Sequence, residues 1–251
     1  MLPYIHLGGL HFGSRAFYPY GLLVLAGILA GIGMLVWRAG RLGLDRRIAL
    51  RFALAAVLCG LAGAHLTRLL FFEPALLRRG ARVLFDLRQG GIYSFGGLAA
   101  GALGGLCLLL LSTLGAATSW DYFDLLAFSF PFGWIFGRAG CALAHDHPGM
   151  RAHNWLSVNF PGGSRYDLGL LEFLFTFVAI GLFLWLDRRP RPAGFYLGLY
   201  LLIYGPFRFV LDGLHEPGVP RFVLTPDQAW GLLATVTGVL ILARALRRGG
   251  T

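Results

Sequence analysis

The stretch YGLLVLAGILAGIGMLVW, residues 20–37, decides the fold class. It carries no charged residue and, as a helix, is long enough to cross a hydrocarbon layer about 30 Å thick. Only helices and closed barrels satisfy their backbone polar groups in lipid. Barrel strands are shorter and alternate in polarity, which this run does not. It therefore reads as a membrane helix. Six further runs of the same kind cover about 49–72, 92–115, 120–137, 169–186, 193–211 and 226–246. The chain reads as all-α, a polytopic membrane protein of about seven transmembrane helices around a polar cavity, with residues 1–251 as a single integral membrane domain. The fourth run is the weakest, because Pro131 interrupts it and polar sequence ends it.

Composition agrees. Residues are 57% hydrophobic and 14% charged, which argues against a soluble domain. The net charge is +10, and all 22 basic residues are arginine. In a membrane protein that excess answers to anionic headgroups and to orientation. The chain carries no nucleic-acid-binding motif, so nucleic acid is not read as a partner. The cysteines, Cys59, Cys107 and Cys141, are odd in number and form no C-x-x-C, which argues against a disulfide framework. MLPYIHLGGLHFGSRAF at the start lacks a charged region followed by an apolar one, so no cleavable signal peptide is read and the first apolar run serves as the insertion signal.

Short loops give the orientation. Arg38, Arg41, Arg46, Arg47 and Arg51 follow the first run, Arg188, Arg189 and Arg191 the fifth, and Arg244, Arg247 and Arg248 the seventh. These eleven, against eight on the other side, place that side in the cytoplasm, the N-terminus outside and the C-terminus inside. Residues 145–168 then form a periplasmic loop region. The basic stretch EPALLRRGARVLFDLRQG, residues 73–90, reads as an interfacial amphipathic segment on an anionic leaflet. Gly97, Gly101 and Gly105, and likewise Gly27 and Gly31, are spaced for close helix packing.

Ionisable residues interrupt the apolar runs at Arg68, Arg138, Glu172, Arg208 and Asp212. Each costs about 2.5–3.5 kcal/mol at a bilayer centre, so such residues face a protein interior and are functional candidates. Arg208 and Asp212 share a helical face and can neutralise each other. The densest cluster is GRAGCALAHDHPG, residues 137–149, where Arg138, Cys141 and His145 share a face if helical. Three readings compete for it. A zinc site would draw on Cys141, His145, Asp146 and His147, but His145 and His147 do not share a helical face. A nucleophile reading has Cys141 activated by His145. In the third, Arg138 and Arg208 clamp a phosphate, for which arginine's planar fork is suited. Neither a metal nor another cofactor is part of the reading adopted.

Order and spacing together resemble the bacterial prolipoprotein diacylglyceryl transferases along nearly the whole chain. Tyr20-Gly21 is similar to the family's tyrosine-glycine at the first helix, and GGIYSFGGLAAG, 90–101, to its glycine-rich third-helix entry. GRAGCALAHDHPG is similar without a gap to the signature G-R-x-G-N-F-x-N-x-E-x-x-G. RYDLGLLEF (165–173), YGPFRFVLD (204–212) and LTPDQAWGLL (224–233) fall on later family motifs.

The resemblance implies a multi-pass enzyme of the bacterial inner (cytoplasmic) membrane. Its partners would be phosphatidylglycerol, which supplies the diacylglyceryl group, and preprolipoprotein, whose lipobox cysteine receives it as glycerol phosphate leaves. Arg138, Arg208 and Gly149 carry over directly, as do Glu172 and Tyr20, while Asp146 and Asp212 stand where the family has glutamates. Read this way, Arg138, Arg208, Asp212, Glu172 and Gly149 bind the headgroup, and His145, Asp146, His147, Cys141 and Tyr20 serve the chemistry. There are departures. Cys141 stands at the signature asparagine, and Phe95 stands where the family has a histidine before its Gly-Gly pair. Two alternatives stay open: a paralogue using Cys141 and His145 for acyl transfer or lipid hydrolysis, and a lipid-binding or transport protein without chemistry.

Overall fold

The computed structural model describes residues 1–5, 10–12, 15–17, 19–85, 94–112, 116–216 and 224–249. Among them are α1 (Pro19–Arg41), α2 (Arg46–Thr67), α3 (Ser94–Leu111), α4 (Ala116–Ala144), α5 (Leu168–Leu186), α6 (Phe195–Gly213) and α7 (Pro226–Gly249). Six are long and apolar enough to cross a membrane, and α3 contributes a shorter apolar helix, Gly96–Leu111. The protein is thus a multi-pass helical membrane protein.

Two local expectations change. Pro131 does not interrupt the fourth run: α4 continues through it for 29 residues and takes in Arg138 and Cys141. Proline is tolerated in membrane helices where neighbours accommodate the freed backbone groups, and Pro131 is buried. The 145–168 region is largely sheet rather than loop. Strands β3 (Pro148–Arg151), β4 (Ser157–Phe160) and β5 (Gly163–Asp167) pair antiparallel with β5 central. The short strands β1 (Leu10–Phe12) and β2 (Arg15–Phe17) form a separate antiparallel pair.

The described chain forms two compact units, residues 1–34 with 123–251, and residues 35–122. In the first, Phe128, Phe183, Tyr196, Tyr200 and Tyr204 build an aromatic core. Small residues set the helix spacing. A Cβ on Gly27 would lie 2.5 Å from the Gly133 carbonyl oxygen, so α1 and α4 meet backbone to backbone. Helices α6 and α7 do the same, since a Cβ on Gly205 would lie 2.5 Å from the Gly231 oxygen and one on Gly238 2.5 Å from the Leu202 nitrogen. Asp124 of α4 caps α6, accepting from the amides of Gly194 and Leu197 at 2.9 Å each.

In the second unit, α2 and α3 interlock in the same way: a Cβ on Gly101 would lie 2.8 Å from the Ala56 oxygen. Asp45 caps α2. A π turn, Arg68–Phe72, and 3-10 turns, Pro74–Arg79 and Ala81–Phe85, follow it. Residues 86–90 of the expected interfacial segment, and residues 90–93 of the glycine-rich entry, lie outside the described residues. Arg68 pairs with Glu73 at 2.8 Å, and these hydrogen bonds hold the Glu73 carboxyl below its ordinary range. Arg68 therefore has a local structural partner.

Candidate active site

Four helix ends supply one buried polar centre in the first unit. Arg138 lies near the end of α4, Glu172 in the second turn of α5, Arg208 near the end of α6 and Asp227 in the first turn of α7. Glu172 is 1% exposed. Its Oε2 faces Arg138 Nε at 3.2 Å and Arg208 Nη1 at 3.5 Å. Its Oε1 accepts from Trp134 Nε1 at 3.1 Å and from the Tyr204 hydroxyl at 2.9 Å. A carboxylate withdrawn from water needs such partners, because an unpaired buried charge costs several kcal/mol. Arg138 also stacks on Trp134, with Cζ 4.4 Å from the ring centroid. Arg208 Nη2 meets Asp227 Oδ2 at 2.6 Å.

The two arginines singled out in the sequence are thus brought to one oxygen. Arg208 turns to Glu172 and Asp227, while Asp212, which the spacing offered as its partner, turns to Thr225 and His215. Thr225 stands at the start of α7 in a reciprocal cap: the Gln228 amide donates to its hydroxyl oxygen at 3.1 Å, and its own amide donates to Gln228 Oε1 at 3.2 Å. The hydroxyl in turn donates to Asp212 Oδ2 at 2.5 Å. This links the end of α6 to the start of α7, where Asp227 meets Arg208.

Beside Arg138 lies a second group. Cys141 Sγ is 3.8 Å from Arg138 Nη1, and Tyr20 packs over the neighbouring Gly140. Tyr20 fits because residue 140 is glycine: a Cβ there would sit 2.9 Å from the tyrosine ring. Donor atoms of Cys141, Asp146 and His147 all lie within 4.8 Å of one another. His147 Nδ1 meets Asp146 Oδ1 at 2.5 Å, and both side chains are about two-fifths exposed.

The structure separates the two histidines. His145 ends α4 with a left-handed backbone, φ 51°, its amide still bonded to the Cys141 carbonyl at 2.8 Å. Its side chain turns away from the Cys141 group. Nδ1 meets the fully buried Asp167 at 2.5 Å, Nε2 meets the Ile5 carbonyl at 3.2 Å, and the ring stacks on Tyr4 at 4.3 Å. Asp167 also caps α5 through the Leu170 amide. With both nitrogens engaged, His145 ties the α4 end to α5 and the N-terminal segment. Gly149 has a packing role too, since a Cβ there would lie 2.8 Å from the Leu214 oxygen.

Sequence reasoning missed Trp134, Tyr204, Asp227 and Asp167. Two had a signal: Trp134 and Tyr204 each lie one helical turn before a singled-out arginine, on the same face.

Fold and site together define a multi-pass helical membrane protein with a buried arginine–carboxylate centre at one end of four helices. The chain belongs to the prolipoprotein diacylglyceryl transferase family, whose sequence model matches residues 9–244. It is 31% identical over 206 residues to the phosphatidylglycerol–prolipoprotein diacylglyceryl transferase of Mannheimia succiniciproducens, covering 79% of this chain and 75% of that one. Proteins of the same name from Cupriavidus metallidurans and Polynucleobacter asymbioticus are each 29% identical, over 96% and 99% of this chain and 93% and 98% of theirs.

Proposed function

We propose that this protein transfers the diacylglyceryl group of phosphatidylglycerol to the lipobox cysteine thiol of a preprolipoprotein. Family membership supports the reaction class, as do the names of the relatives. The observation that carries the reading is the meeting of Arg138 and Arg208 on Glu172. Two guanidiniums against one carboxylate leave the buried triad with a net positive charge, the complement of a phosphodiester anion. Asp227, which also pairs with Arg208, is the more exposed carboxylate, so solvent screens it more.

The acceptor thiolate attacks the glyceryl carbon that bears the phosphate ester. A carbon–sulfur bond forms, the carbon–oxygen bond breaks, and glycerol phosphate departs with the electron pair. Negative charge grows on the phosphate during this step. Arg138 and Arg208, already held in place at low dielectric, stabilise that charge. The thiol proton goes to His147, whose ring Asp146 orients. Tyr20, beside Cys141 and Arg138, borders the same site. Glu172 holds the two arginines at a fixed spacing, and Asp212 acts through Thr225 on the start of α7.

Orientation follows from charge. Arg188, Arg189 and Arg191 follow α5, and Arg244, Arg247 and Arg248 close α7, at the helix ends opposite the arginine–carboxylate centre. With basic ends in the cytoplasm, the site faces the outer side of the bacterial inner membrane, the N-terminus is outside and the C-terminus inside. The described part of the basic segment, 73–85, lies along a leaflet surface in this reading.

The test is incubation of purified protein with labelled phosphatidylglycerol and a membrane-anchored lipobox peptide. Thioether-linked diacylglyceryl peptide and free glycerol phosphate are expected; no turnover of phosphatidylglycerol overturns the proposal. A second reading draws on the proximity of Cys141, His147 and Asp146, a nucleophile, base and orienting carboxylate for acyl transfer or lipid hydrolysis. Cys141→Asn separates the two. It installs the family's residue and leaves diacylglyceryl transfer in place, whereas a thioester route is lost.

A further inference from the structure

Cys141 stands where the family signature has asparagine, so the group it forms with Asp146 and His147 is a feature of this chain beyond the signature. We propose that Cys141, Asp146 and His147 form a binding site for a thiophilic divalent cation of the zinc class, next to Arg138.

The donor set fits that class. Thiolate and imidazole are ligands that zinc and cobalt(II) favour, and a carboxylate completes a three-residue set with one position open to solvent. Zinc bonds of about 2.0–2.3 Å space tetrahedral donors by about 3.5 Å. Here the donors lie within 4.8 Å of one another, so closure needs only a small rotation. The residues that must rotate can do so, because Asp146 and His147 are half-exposed at the surface, while Cys141 is buried and fixed.

The backbone holds the three donors together. The left-handed turn at His145 folds the chain back so that residues 146 and 147 overlie the last turn of α4. Both flanks are pinned: the His145 amide bonds to the Cys141 carbonyl, and the His147 carbonyl accepts from the Leu168 amide at 3.0 Å. A left-handed non-glycine residue is uncommon and costs on the order of 1–3 kcal/mol unless its surroundings fix it. Here the engagement of both His145 ring nitrogens does so. His145 is therefore the brace of the site, which is why the four-residue zinc set offered by the sequence reduces to three.

Charge also balances. Binding releases the Cys141 thiol proton, and the thiolate and the Asp146 carboxylate together match a divalent cation, so the occupied site is neutral beside Arg138, itself paired to Glu172. Because it draws on His147 and Asp146, an occupied site withholds the thiol-proton acceptor of the transfer reaction; cobalt absorption is read without turnover, so either proposal can fail alone.

Cobalt(II) is the probe, added to the full-length detergent-purified protein in a Cys59→Ser/Cys107→Ser background that leaves Cys141 as the single thiol. Binding of one equivalent with thiolate-to-cobalt charge-transfer absorption is expected, bleached by Zn2+. Cys141→Ser abolishes the absorption, and His147→Gln weakens binding by about tenfold or more, since even loss of a supporting partner costs about 10–100-fold. A second measurement needs no further variant: Zn2+ slows alkylation of Cys141 in the folded protein, and a chelator restores it. Cobalt binding without thiolate absorption, or alkylation indifferent to Zn2+, overturns the proposal.

Discussion

Arg138 and Arg208 approach the same oxygen of Glu172, at 3.2 and 3.5 Å, although one comes from the end of α4 and the other from the end of α6. The carboxylate thus fixes the separation of two guanidiniums that would otherwise repel. Trp134 and Tyr204 occupy its second oxygen, so Glu172 has little freedom to follow either arginine alone. The centre behaves as one unit, and its members' contributions are coupled rather than additive.

Glu172→Gln keeps hydrogen-bonding capacity but removes the charge that holds the arginines. Breaking a buried pair by altering one partner costs about 3–5 kcal/mol, so a large fall in thermal midpoint is expected. Arg208→Lys tests function more directly. Lysine keeps the charge and loses the planar fork, so kcat/KM for phosphatidylglycerol should fall by about 10²–10³-fold, the loss seen when one preorganised donor is removed. Activity of Arg208→Lys within a factor of about three of the parent would remove Arg208 from the phosphate site.

Much of this was legible in the sequence, for identifiable reasons. Membrane helices announce themselves because lipid imposes a length and a polarity, and α5 matches its expected limits to within a residue or two. Arg138, Glu172 and Arg208 stood out because charge in an apolar run demands a partner. The partner itself was harder to read. Arg208 and Asp212 share a face, yet Asp227 of α7 takes the arginine and Thr225 takes the aspartate. That exchange depends on the glycine seam between α6 and α7, which sets how closely the two helix ends approach. The distinction between His145 and His147 rests on one left-handed residue, for which the local sequence carries no glycine signal.

The seam itself is testable. Gly205→Ala places a Cβ about where the Gly231 oxygen and Thr235 hydroxyl stand, at 2.5 and 2.4 Å. Overpacking of this kind costs about 1–3 kcal/mol. Gly181→Ala in α5 meets nothing within 4 Å and should leave stability unchanged or raise it slightly, because alanine is the better helix former. Equal thermal midpoints for the two variants in the same detergent would contradict the packing described.

The two histidines should separate by readout. His147→Gln removes the proposed proton acceptor and lowers kcat by about 10²–10⁴-fold, with little change in thermal midpoint because the residue is half-exposed. Asp167→Ala acts on stability. It removes the α5 cap, worth about 0.5–2 kcal/mol, and leaves His145 without its closest partner. If His147→Gln turned over at the parental rate, the proton would have to leave by another route.

Thr225 offers the most selective test of how α7 serves the site. Its hydroxyl accepts from the Gln228 amide and donates to Asp212, so one atom both starts the helix and fastens it to α6. Thr225→Ala loses the cap, at about 1 kcal/mol, and leaves the 8%-exposed Asp212 with a lost partner. Asp227, two residues on, then no longer presents its carboxylate squarely to Arg208. Because Thr225 acts through other residues, KM for phosphatidylglycerol should rise more than kcat falls. Thr225→Ser, which retains the hydroxyl, should restore both parameters to within about twofold of the parent, since a hydroxyl at this position caps nearly as well in either residue. A serine variant as impaired as the alanine one would mean that the methyl group, not the hydroxyl, holds α7 in place.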